Sequence, residues 1–64
     1  MLTPRELDVI GLLARGLTSE ETAQLLGVSP YTVKKHAYWI RLKLGARNTA
    51  HAVAIGLREG LIQP

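Results

Sequence analysis

Four times in 64 residues a Thr, Ser or Asn opens a stretch that a glycine closes: Thr3 to Gly16, Thr18 to Gly27, Ser29 to Gly45 and Asn48 to Gly60. These openers are favoured helix N-caps, because a short side-chain oxygen accepts from a free amide of the first turn. Glycine is the favoured terminator, because it takes the left-handed backbone of a helix end without a Cβ clash. A chain punctuated this way has room for helices, tight turns and little else.

The details agree with the punctuation. In "LTPREL" Thr3 is the N-cap, Pro4 takes the first helical position, Glu6 closes a capping box, and Leu2 and Leu7 occupy the staple positions. Leu7, Ile10, Ala14 and Leu17 then recur at helical spacing, with Leu13 beside them. Gly11 interrupts this helix and predicts a close approach by a neighbour, since a mid-helix glycine costs about 1 kcal/mol relative to alanine. Thr18 and Glu21 form a second capping box, and Ala23 and Leu26 point inward. Ser29 and Pro30 start a third helix, with Val28 and Val33 as its staple; Asn48 caps a fourth carrying Ala52, Val53 and Gly56. The expected helices cover about 4–15, 19–26, 30–44 and 48–59. No segment alternates with period two, so the class is all-α: a compact four-helix bundle in a single domain spanning 1–64.

Composition narrows the function. The 8 lysines and arginines outnumber 5 acidic residues, for a net charge of +3, which favours an anionic partner such as nucleic acid. There is no cysteine, which excludes disulfides and thiolate metal sites. No apolar run approaches the roughly 18 residues of a membrane span, and "MLTPREL" has no signal-peptide pattern. An intracellular, cytoplasmic protein associated with the nucleoid is expected, with no membrane partner.

Ala23, Gly27 and Val33 together make a helix-turn-helix signal: a small residue where two helices cross, a glycine at the turn, and an apolar residue that pins the second helix. Projected at about 100° per residue, Val33, Ala37, Ile40 and Leu44 of the third helix form the core stripe. Lys35, Tyr38 and Leu42 lie opposite, with Tyr31 above them, Lys34 and Arg41 on one edge, and His36 and Lys43 on the other. Trp39 leans outward. A helix that is apolar inside and basic-aromatic outside suits a DNA major groove, about 12 Å wide. Tyr31, Lys34, Lys35 and Tyr38 are placed toward base edges, and Lys34, Arg41 and Lys43 toward phosphates. Thr18, Ser19, Ser29 and Thr32, at the starts of the second and third helices, complete the candidate DNA-binding set.

"LTPRE", "GLT", "EETAQLLGVS", "TVKKH" and "KLGA" stand here in an order and spacing that resemble the LuxR/GerE-type helix-turn-helix domain, also found at the C-terminus of NarL/FixJ response regulators. The resemblance covers nearly the whole chain. It implies a four-helix domain whose third helix reads the major groove, dimerisation commonly through the fourth helix, and a transcriptional regulator of bacterial or phage origin. By position it places Lys34 and Lys35 where the family contacts bases and phosphates, and Tyr38 where it often reads a base. The chain departs from the family at Thr22, usually apolar, at Pro30 and Tyr31, commonly acidic and lysine, and at Thr49, typically arginine. Most relatives carry an upstream receiver or ligand-binding domain, so either a free-standing small regulator or a domain of a larger one is expected.

Other signals are weaker. His51, Ala54, Ile55 and Arg58 are candidates for a homodimer surface on the fourth helix; Ile55 or Ala54 could equally belong to the core. His36 and His51 stand on different helices with no cysteine, short of the roughly four ligands of a zinc site, so no metal or cofactor is expected. No nucleophile elbow or phosphate loop is present, and Glu6, Asp8, Glu20, Glu21 and Glu59 read as helix-terminal or surface charges, so no enzyme activity is expected. The rival to DNA binding is a protein-interaction module that engages RNA polymerase or another regulator through Tyr38, Trp39 and Leu42.

Overall fold

Each of the four start signals is made in hydrogen bonds. In the computed structural model, which describes residues 1–63, the order is α1 (Pro4–Ala14), α2 (Ser19–Leu26), α3 (Pro30–Leu44) and α4 (Thr49–Arg58). Thr3 Oγ1 accepts from the Glu6 amide at 3.1 Å, and Glu6 Oε1 accepts from the Thr3 amide at 2.8 Å. The same reciprocal box joins Thr18 and Glu21, at 2.9 and 3.0 Å. Ser29 Oγ accepts from the Thr32 amide at 3.1 Å. Asn48 Oδ1 accepts from the His51 amide at 2.8 Å, while His51 Nδ1 accepts from the Arg47 amide at 3.0 Å, so His51 reaches back as the two glutamates do, but to the residue before the N-cap instead of to the N-cap itself. Three ends fall short of expectation by a residue. Arg15 caps α1 with its amide on the carbonyls of Leu12 and Leu13, and α4 is flanked by the caps Asn48 and Glu59 instead of including them. No strand occurs among the described residues, and no helix there is long and apolar enough to cross a membrane.

The core forms where the apolar stripes meet. Val9 and Ile10 from α1, Ala23 from α2, Val33 and Ile40 from α3, and Ala52 and Ile55 from α4 are buried, joined by Leu2, Ala46 and Ile62 from outside the helices. Leu7, Leu13, Ala14, Leu26, Val28, Leu44 and Val53 pack partly buried around them. Both α1 and α3 touch all three other helices, and α2 and α4 flank them. Val33 and Ile40 are 0% and 2% exposed. Each such burial is worth roughly 1.5–3 kcal/mol, so these two side chains fix how α3 is rotated in the bundle.

Two glycines behave differently from one another. At Gly11 an added Cβ would meet nothing within 4 Å, so the expected close helix contact is absent; the gap belongs to an open cleft lined by Leu7, Asp8, Leu12, Arg15, Leu25 and Leu26. At Gly56 the same atom would lie 3.2 Å from the Ile62 side chain and 3.4 Å from Ile10. The close approach is therefore on α4, where the chain after the helix folds back.

Glu6 is not a surface charge. It is 4% exposed, and its carboxylate accepts from Lys43 Nζ at 2.9 and 3.2 Å besides the Thr3 amide. Burial alone would raise its pKa. The Lys43 hydrogen bond, the Thr3 amide, the Lys43 charge and the Thr3 hydroxyl together outweigh burial and lower it below its ordinary value of 4.5. The pair ties the first turn of α1 to the last turn of α3.

Candidate nucleic-acid interface

The presentation of α3 begins at Gly27. Its φ of 70° and ψ of 32° lie in the left-handed region, and its amide returns to the Ala23 carbonyl. The Val28 amide reaches the same carbonyl at 3.0 Å. Ser29 then opens α3 immediately, so α2 and α3 are joined by a turn too short to let α3 drift. Its 15 residues make a rod about 22 Å long.

Opposite the Val33–Ile40 face the helix is bare. Tyr31 is 73% exposed, Tyr38 52%, Trp39 49% and Leu42 44%, and Lys34 and Lys35 are exposed between the two tyrosines. Tyr31, Lys34, Lys35 and Tyr38 thus share the outer side of the first turns of α3, as the helical projection expects. The first turn of α3 carries no acidic residue. The first turn of α2 carries Glu20 and Glu21, and Glu21 is committed to its capping box.

The remaining candidates divide by what their side chains already do. Thr18 and Ser29 are exposed, but their hydroxyls accept from helix amides, and Ser29 Oγ also lies 3.1 Å from Thr32 Oγ1. Ser19 and Thr32 are half-buried. Lys43, expected near phosphates, points to α1 and is held by Glu6, so its charge is neutralised within the domain. Arg41 is half-buried; its Nη1 donates to the Ala46 carbonyl at 3.3 Å and its guanidinium carbon lies 5.4 Å from the Tyr38 ring centre. The Tyr38 and Trp39 rings meet edge to face, with centroids 5.6 Å apart and planes at 79°. Sequence reasoning missed this cluster. The three-residue spacing of Tyr38 and Arg41 was the available signal, since residues so spaced are neighbours on a helix surface.

On α4, His51, Ala54 and Arg58 are exposed, but Ile55 is 8% exposed and belongs to the core, which corrects its assignment to an outer face. Leu57, 39% exposed, stands on the accessible surface of α4 in its place. Arg58 lies 3.7 Å from Glu59 in a solvent-exposed ion pair, a kind that contributes little to stability.

The GerE family profile, described as bacterial regulatory proteins of the luxR family, matches residues 1–55. The chain belongs to the LuxR family. This is a family of DNA-binding transcriptional regulators, and the four-helix bundle above is its helix-turn-helix domain. Among solved structures, that of the transcription factor GerE superposes with a TM-score of 0.93 at 31% identity, over 97% of this chain and 92% of that one. The structure of VqmA bound to DPO superposes at 0.88 and 32% identity, over 94% of this chain and 30% of that one. The chain is 36% identical over 61 residues to the transcriptional regulatory protein MctR of Rhizobium johnstonii, covering 95% of this chain and 28% of MctR. It is 41% identical over 61 residues to the uncharacterized transcriptional regulatory protein YxjL of Bacillus subtilis, covering 95% and 28%. The chain thus spans little more than a quarter of the length of these two LuxR-family relatives.

Proposed function

We propose that this LuxR-family domain binds double-stranded DNA sequence-specifically and regulates transcription, with α3 lying in the major groove. The observation that carries the reading is the division of α3 into a face sealed by Val33 and Ile40 and a bare face bearing Tyr31, Lys34, Lys35 and Tyr38. Lys35 is placed to donate to guanine O6 and N7, and Tyr38 to hydrogen-bond a base edge or pack on a thymine methyl. Lys34, at the edge of that face, takes a phosphate. The likeness to GerE and to two named transcriptional regulators supports the same reading.

Fluorescence anisotropy with labelled duplex DNA tests it, with circular dichroism as the control for folding. Lys34→Ala reduces the slope of log K against log salt by about 0.9, the value for one phosphate contact. Lys35→Ala weakens binding most on the preferred sequence. Full affinity in both variants, with helicity intact, rules out this face of α3.

The domain acts as a homodimer in this reading, through His51, Ala54, Leu57 and Arg58 of α4. Two copies related by a two-fold axis then present α3 to half-sites about 10 bp apart or a multiple of that. Sedimentation over a concentration series checks it; a monomer at high micromolar protein, with and without DNA, rejects it.

A second reading is favoured by one observation, the adjacent half-exposed rings and aliphatic side chain of Tyr38, Trp39 and Leu42. These suit an apolar protein partner such as RNA polymerase. Association that is insensitive to salt and survives nuclease treatment selects this reading over the first.

A further inference from the structure

Arg41 follows Tyr38 by three residues on α3, so their side chains are neighbours one turn apart. The guanidinium carbon sits 5.4 Å from the Tyr38 ring centre, within the roughly 6 Å over which a cation is drawn to an aromatic face. Arg41 Nη1 also donates to the carbonyl of Ala46, a buried residue just after α3. Trp39 meets the same ring edge to face at 5.6 Å. A planar guanidinium can stack on a ring and donate from its in-plane fork at once, whereas a lysine ammonium is a compact, strongly hydrated point charge without that fork. The cation is therefore drawn back along its own helix and anchored to the core. Tyr38, half-exposed and otherwise free to turn about two torsions, is gripped from two directions.

We propose that Arg41 is a positioning residue for base recognition: it holds the Tyr38 ring in one orientation on the groove-facing side of α3, and acts on sequence discrimination through Tyr38 instead of neutralising a phosphate. This rests on the reading of α3 as the groove-bound helix. Ordering the ring before binding removes a cost that would otherwise fall on the complex.

The experiment begins with the wild-type domain and a pool of randomised duplexes. Binding to the most enriched duplex and to its scrambled counterpart is then measured across a potassium chloride series for the wild type, Arg41→Gln, Arg41→Lys, Tyr38→Ala and the Tyr38→Ala/Arg41→Gln pair. Circular dichroism confirms that each is folded. Arg41→Gln is expected to lower discrimination by about two- to fivefold, the range set by an exposed cation–aromatic contact, with an unchanged salt slope. Arg41→Lys, which keeps the charge and loses the fork, is expected to behave like Arg41→Gln. In the Tyr38→Ala background Arg41→Gln is expected to lower discrimination no further. In the free protein, the Tyr38 χ1 couplings are expected to report one rotamer in the wild type and averaging in Arg41→Gln.

A salt slope reduced by about 0.9 in Arg41→Gln with discrimination intact, full rescue by lysine, an additive double variant, or unaltered Tyr38 couplings would each overturn the proposal while leaving the DNA reading standing. A wild type that enriches no duplex sinks the DNA reading and this inference with it.

Discussion

Thr22 is 0% exposed, and among the described residues its hydroxyl has no hydrogen-bond partner. A buried hydroxyl left unsatisfied loses its water without compensation. Valine matches threonine in shape and removes the orphan, so Thr22→Val is expected to raise stability by about 1 kcal/mol in urea unfolding, with DNA binding unaltered. The residue was visible in the sequence as a departure from the family's apolar habit, but its isolation was not. A threonine at that position reads equally well as a solvated one until the packing above it is known. Glu6 is the converse. Its capping role was legible three residues from Thr3, whereas Lys43 stands 37 residues away, and no local pattern points to it.

At the scale of elements, the helix starts were legible because each is built from residues within four positions of one another. The outer face of α3 was legible for a related reason: Val33, Ala37, Ile40 and Leu44 fix the inner side, and geometry supplies the opposite one. The rotation of α4 was not. Ala52, Ala54, Ile55 and Gly56 mark no narrow stripe, and part of what covers the inner side is Ile62, which follows the helix and packs on Gly56. Arg41 and Lys43 had the right charge and position along α3, but their heads go to Ala46 and Glu6. Side chains this long reach several ångströms either way, so a helical projection alone does not place their charges. The turn that sets α3 gives the sharpest expectation for an element. Gly27 has open space where a Cβ would sit but a φ of 70°. Gly27→Ala is therefore expected to lower stability by roughly 1 kcal/mol from backbone strain alone, and Gly27→Asn by less, since asparagine tolerates that region. Equal losses for the two in thermal unfolding would show that the strain account is wrong.

For the whole molecule, the Glu6–Lys43 pair predicts how stability follows pH. The Glu6 carboxyl is lowered in the folded state, below its ordinary value of 4.5. Its contribution is therefore fully present above that value and is lost as pH falls through the folded one. Lys43→Met is expected to cost about 2 kcal/mol near neutrality, in the range for a hydrogen bond to a charged group. The difference from wild type is expected to shrink below pH 4.5, as Glu6 takes up a proton. Urea midpoints at pH 7, 5 and 3 check both statements, and a loss that stays constant across the three would show that it does not come from the ionised pair.

The family match stops at residue 55, yet Ile62 is 8% exposed and caps the space above Gly56 and Ile10. The last described stretch works as a cork. A version of this domain trimmed to the shared family boundary would lose the last turn of α4 together with the cork, leaving Ile10 uncovered on that side. Comparisons of excised LuxR-family domains should therefore be drawn to where the core closes, several residues beyond where the common pattern fades.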